Sequence, residues 1–169
     1  FSNFIHLMKV DKAKIIIVMG VSGSGKTTLG KALAENLTYL FLEGDAFHSD
    51  QNIKKMSLGK PLTDSDRIPW LQALNKALYT SNSGVVLACS ALKASYRKLL
   101  SEGLTPAPQF IFIDCERDLL EKRMEARRHF MPASLLNSQL EALEKPEEAI
   151  MVAGEASTEK QIDHISNQV

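Results

Sequence analysis

Eight residues constrain this chain more than any other stretch: Gly20-Val21-Ser22-Gly23-Ser24-Gly25-Lys26-Thr27. They follow an apolar run, Ile15 to Met19, and precede a stretch that puts Leu29, Ala32, Leu33 and Leu37 on one helical stripe. Between a buried strand and an amphipathic helix, the pattern Gly-x-x-x-x-Gly-Lys-Ser/Thr is a phosphate loop, matched here at every fixed position. Its glycines let backbone N–H groups converge on an anion at the positive end of the helix. The Lys26 ammonium reaches the outer phosphates, and the Thr27 hydroxyl ligates Mg²⁺. A glycine-rich turn without function does not require all eight residues in that setting. The chain is therefore expected to bind a nucleoside triphosphate, with Gly20, Ser22, Gly23, Ser24, Gly25, Lys26, Thr27 and Thr28 as its contacts.

The rest of the pattern predicts an α/β fold. Short apolar runs at 14–19, 39–42, 84–88, 109–113 and 149–152 read as strands buried on both faces, each followed by helical periodicity. Pro69 to Tyr79 places Trp70, Leu71, Leu74 and Leu78 on one stripe, which is core. Two stretches break the alternation: Gly44 to Arg67, and Arg123 to Pro132. Both are polar, charged and long for connections, and such insertions tend to carry function. No repeat or linker divides the 169 residues, a length suited to one domain.

Charge and cysteine content exclude several classes. Twenty Lys and Arg balance twenty Asp and Glu, so the phosphate-neutralising excess of a non-specific nucleic-acid binder is missing. No apolar run approaches the roughly 20 residues of a membrane helix. Phe1 to Leu7 lacks the features of a targeting peptide and reads as a ragged terminus. Cys89 and Cys115 form no Cys-x-x-Cys pair and read as two small buried hydrophobes, which suits a reducing cytoplasm. A homodimer is left open.

Three classes of triphosphate enzyme then compete. A GTPase would carry Asn-Lys-x-Asp, but Asn75-Lys76 is followed by Ala77-Leu78 inside a helical pattern. A remodelling ATPase would end an apolar strand in Asp-Glu, whereas Ile113-Asp114 runs into Cys115 without the acid that primes water. The remaining class is a small-molecule kinase, which needs an acceptor site opposite the loop. Glu43-Gly44-Asp45 ends the second predicted strand on the ligand-binding edge of such a sheet. Asp45 suits the acceptor hydroxyl's proton, and Glu43 suits Mg²⁺ through water. Arg67 and His48 can neutralise or hydrogen-bond an anionic, hydroxylated acceptor.

The residues from Gly44-Asp45 through His48, Asn52, Lys55-Met56, Gly59, Pro61-Leu62, Asp64, Asp66-Arg67 and Pro69-Trp70-Leu71 resemble the gluconate kinases. Cys89-Ser90-Ala91-Leu92-Lys93, Tyr96-Arg97, His129-Phe130-Met131, Leu136, Ser138-Gln139, Leu143-Glu144 and Pro146 resemble that family's later motifs in the same order. The resemblance runs from about Ile15 to Pro146. It departs at Glu43, where Asp is usual, at Ser49 and Leu140, and at Val152-Ala153, where Val-Asp is common. It implies a three-layer P-loop kinase like the nucleoside monophosphate kinases and shikimate kinase: a five-stranded parallel sheet, helices on both faces and a mobile lid. It further implies transfer from ATP with Mg²⁺ to the terminal hydroxyl of D-gluconate, giving 6-phosphogluconate. Another small hydroxy acid such as shikimate, or a non-catalytic nucleotide-binding regulator, stands as the alternative.

On that resemblance Lys26, Asp45 and Arg127 are the catalytic candidates. Asp45, His48, Arg67, Ser90, Ala91, Leu92, Lys93, His129 and Gln139 are candidates for the acceptor, and Thr27 and Glu43 for the metal. The domain is expected to span residues 1–169, with its acceptor region at about 44–80 and its lid at about 123–134. Glu116 to Arg128 reads as a helix carrying Arg123 and Arg127 on one face, as in lids where one arginine packs on adenine and another meets the phosphates.

Overall fold

The computed structural model describes residues 15–127 and 135–168. Five parallel strands form one sheet: β1 (Ile15–Met19), β2 (Leu40–Glu43), β3 (Val85–Ala88), β4 (Gln109–Asp114) and β5 (Ile150–Ala153), in the order β2-β3-β1-β4-β5. The helices are α1 (Lys26–Leu37), α2 (Asp50–Ser57), α3 (Asp64–Thr80), α4 (Ala94–Ser101), α5 (Arg117–Ala126), α6 (Leu136–Ala142) and α7 (Thr158–Ser166), with a 3₁₀ turn at Gly44–Phe47.

The expected doubly covered parallel sheet is what forms. Strand side chains alternate, so each buried strand feeds two cores. Ile17, Met19, Val85, Leu87 and Phe112 pack on one face with Trp70, Leu71, Leu74 and Leu78 of α3 and Tyr96 and Leu100 of α4. Ile16, Val18, Val86, Ile111 and Ile113 pack on the other with Leu29 and Leu33 of α1 and Ile165 of α7. A smaller cluster joins Val21 and Leu92 to Leu120 and Met124 of α5 and Leu136 of α6, covering the ends of the strands. Among the described residues no helix is long and apolar enough to cross a membrane.

Several sequence-based boundaries move. Strands β2 and β5 each shift by one residue, and β3 loses Gly84. The helix expected from Pro69 starts at Asp64, because Thr63 caps it. Thr63 Oγ1 accepts the Asp66 amide N–H at 3.1 Å, and the Asp66 carboxylate accepts the Thr63 amide at 2.8 Å. That capping box outweighs Pro69, which removes one main-chain donor inside the helix. The Gly44–Arg67 stretch is therefore ordered structure, made of the 3₁₀ turn, α2 and the start of α3. Cys89 is buried as expected, but Cys115 is only half-buried. The helix expected over Glu116 to Arg128 ends at Ala126, and the rest of the lid segment from 128 to 134 lies outside the described residues.

Candidate active site

The chain order departs from the strand order around β1, so the carboxyl ends of β1, β2 and β3 open into one crevice. The phosphate loop leaves β1 there. Gly25 is the N-cap of α1 at φ 100°, a left-handed conformation that a side chain strains. The Gly20 amide donates to the Ser90 carbonyl at 3.3 Å, tying the loop to the end of β3. Lys26 is half-buried, and its Nζ donates to the Val21 carbonyl at 3.0 Å. Burial pushes its ammonium below the ordinary value, while Asp45, Cys89 and Glu43 pull it back. Thr28 is exposed on α1, and the buried Ser24 Oγ has no partner among the described residues.

The metal candidates meet. Thr27 Oγ1 donates to Glu43 Oε2 at 2.5 Å, bringing the loop's hydroxyl to the last residue of β2. Gly44 follows, and a Cβ there would stand 2.5 Å from the Ala88 carbonyl oxygen, so the chain passes β3 too closely for any side chain. The Gly44 carbonyl accepts the indole N–H of Trp70 at 2.8 Å. This clamp sets the half-buried Asp45 in the crevice, close enough to raise the Lys26 pKa by its charge.

The acceptor candidates come from the 3₁₀ turn, α3, the turn after β3, the start of α4 and α6. His48 stacks on Trp70 with ring centroids 4.1 Å apart and planes at 16°. Burial lowers the His48 pKa, with Asp45 opposing and Arg67 reinforcing that shift. Arg67 donates from NH1 to the Leu62 carbonyl at 2.5 Å and to Tyr96 Oη at 3.3 Å, and lies over the Tyr96 ring. It forms no ion pair with Asp64 or Asp66: Asp66 pairs with Lys55 at 2.7 Å and Asp64 with Lys93 at 3.2 Å. One cleft is lined by Ser22 and Lys26 of the loop, by Asp45 and His48, by Arg67, and by Ser90, Leu92 and Gln139.

Two candidates stand differently from the expectation, and a third lies outside the described residues. Lys93 is the N-cap of α4 and reaches Asp64 instead of lining the cleft. Ala91 is fully buried, with φ at 45°, and does not line the cleft. Its carbonyl and that of Leu92 accept Arg97 at 2.7 and 3.1 Å, which makes Arg97 a clamp on the turn. His129 lies outside the described residues.

On the other side of the loop, Arg123 is engaged by main-chain carbonyls. Its NH1 donates to Gly23 at 3.2 Å and Ser24 at 3.1 Å, and its NH2 to Gly154 at 2.8 Å. It therefore bridges the phosphate loop and the turn after β5. Arg127 is exposed at the C-cap of α5, where its amide bonds the Arg123 carbonyl at 3.2 Å. Cys89, beside Lys26, has its thiol pushed up to about 12 by burial and is no nucleophile.

Sequence reasoning had assigned Trp70 to the core alone and had given Asn52 and Tyr96 no role. The signal for Trp70 was its indole N–H, since a buried tryptophan on a helix stripe still needs a partner. Asn52 stands four residues after His48, one turn on. Tyr96 carried no local signal, because its hydroxyl meets Arg67 and Asp64 only across the fold.

The AAA domain family matches residues 15–146. The chain is 48% identical to the gluconokinase of Gluconobacter oxydans (strain 621H), over 85% of its own length and 84% of that protein's. It superposes on a gluconokinase from Sinorhizobium meliloti 1021 with a TM-score of 0.83 at 44% identity, covering 92% of this chain and 90% of that one. A shikimate kinase from Aquifex aeolicus superposes with a TM-score of 0.58 at 20% identity, covering 91% and 94%, which is a likeness of fold.

Proposed function

The chain belongs to the gluconokinase family of P-loop kinases, and from that premise we propose that it moves the γ-phosphoryl group of ATP to the terminal hydroxyl of D-gluconate. The observation that carries this reading is the shared cleft in which Ser22 and Lys26 of the phosphate loop face Asp45, His48 and Arg67.

The loop amides and Lys26 hold the outer phosphates, and Lys26 neutralises charge that develops on the transferred group. Asp45 accepts the hydrogen of the attacking hydroxyl and holds its oxygen in line. Arg67 meets the carboxylate of the sugar acid, since its guanidinium is already oriented by Leu62 and Tyr96 and pairs directly with neither Asp64 nor Asp66. Thr27 Oγ1 and Glu43 Oε2 are adjacent oxygens of the type hard Mg²⁺ takes, so these two residues would hold the ion. Bound there, Mg²⁺ supplies charge neutralisation on the phosphate oxygens. Arg127, in the lid segment, meets the triphosphate, and Arg123 ties the phosphate loop to the turn at Gly154.

The test is ADP release from the full chain with gluconate, other sugar acids, shikimate and no acceptor. Release dependent on gluconate is expected. Release that ignores the acceptor, or appears with shikimate alone, would sink the assignment.

A further inference from the structure

Asn52 holds a position in α2 that phosphoryl transfer alone does not explain. It is one of few buried polar residues among the described residues, 7% exposed. Its Nδ2 donates to the Asp66 main-chain carbonyl at 3.0 Å and stands 3.4 Å from Nδ1 of His48. A carbonyl oxygen only accepts, so the Asp66 contact identifies the amide nitrogen, and that same nitrogen faces the imidazole. Nδ1 must then be the accepting ring nitrogen, which leaves the single proton of a neutral ring on Nε2. The ring has little freedom to escape this pairing, because it stacks on Trp70, itself held by the Gly44 carbonyl.

We propose that Asn52 is a positioning residue that fixes His48 as the Nε2–H tautomer, making His48 a hydrogen-bond donor to an oxygen of a polyhydroxy acid acceptor. The proposal rests on the sugar-acid reading of the cleft. Asp45 offers that acceptor a hydrogen-bond acceptor, and Arg67 offers it a cation. His48 adds a neutral donor, whereas the opposite tautomer would turn a lone pair toward the ligand's oxygens. The charged groups around the ring are Asp45 from the 3₁₀ turn, Arg67 from α3 and, lining the same cleft, Lys26 from α1. Burial disfavours the imidazolium, so the neutral ring is the form whose tautomer matters.

Two-bond ¹H–¹⁵N correlation spectra of the resting enzyme read the tautomer directly, and the His48 signal is assigned by its loss in His48→Gln. The Nε2–H pattern is expected at neutral pH; an Nδ1–H pattern overturns the proposal without any variant at Asn52 having to fold. Asn52→Asp then places an acceptor against Nδ1 and should draw the proton there. Its kcat/KM for gluconate should fall about tenfold as pH rises through the variant's His48 pKa, with KM for ATP unchanged. The parent enzyme should hold its value over that range. His48→Gln, whose amide nitrogen can stand in for Nε2, should show no such alkaline loss in either background. A reversed tautomer in Asn52→Asp with an unaltered pH profile would overturn the donor role. An enzyme with the Nε2–H signature that turned over no sugar acid would instead overturn the acceptor assignment and leave the Asn52–His48 pairing standing.

Discussion

The Ser22 amide donates to Gln139 Oε1 at 2.7 Å, joining the phosphate loop to α6 across 117 positions of sequence. A loop donor is thereby held by a side chain that also lines the acceptor cleft. Gln139→Leu should speed hydrogen exchange at the Ser22 amide and lower kcat/KM for gluconate about tenfold, the worth of one hydrogen bond. A change confined to nucleotide affinity would assign Gln139 to the triphosphate instead.

Lys26→Met should lower turnover by about 10²–10³, the usual loss for a preorganised charge at the transition state. Its melting temperature should be unchanged or higher, because burial already disfavours the ammonium and methionine removes that cost. Calorimetry and turnover on one sample check both parts. A folded variant with most of its activity would dismiss the phosphate-loop role.

For Asp45→Asn, turnover should drop by about 10²–10⁴, the range for losing a general base. Titration with ATP should give an affinity close to the parent's, because Asp45 faces the acceptor. Unchanged turnover would return Asp45 to a structural role.

The two arginines of α5 and its cap should fail differently. Arg123→Ala breaks three contacts to carbonyls, so it should cost about 1–3 kcal/mol of stability and raise KM for ATP. Arg127→Ala removes an exposed side chain, so the melting temperature should hold while kcat falls. Equal effects on stability would contradict the separate roles.

Acid should act through Asp66, whose pKa is lowered from 3.8 to about 2, first by Lys55 and then by the Thr63 amide. A carboxyl depressed in the fold contributes stability that is complete above its unfolded value and lost as pH falls through its folded one. Asp66→Asn should therefore melt lower than the parent at pH 7, with the gap closing between 3.8 and about 2. A gap that stays constant over that window would exclude the Lys55 pair as its source.

The sheet and the phosphate loop were legible because their signals are local. A strand buried on both faces must be apolar throughout, as Ile15 to Met19 is, and Gly25 and Lys26 must sit at fixed offsets from that strand. Asp45 was legible by position, since a carboxylate just past a parallel strand faces the ligand edge. The Gly44–Arg67 stretch was marked as functional, yet the start of α3 within it was hidden by Pro69, which suggested a later start that the Thr63–Asp66 capping box overrides. Lys93 misses the cleft because, as the N-cap of α4, it reaches Asp64, and Ala91 because it is buried in the turn that Arg97 holds. Pairing came from the packing of the elements: Gln139 with Ser22, Arg123 with Gly154, Tyr96 with Arg67, and Asn52 with Asp66 and His48. Each joins a donor and an acceptor on different elements, and hydrogen-bonding side chains carry no periodicity that announces a partner. A phosphate-binding α/β kinase was legible from patterns local to the chain; the packing of α2, α3 and α6 around the loop decided which side chains line the cleft.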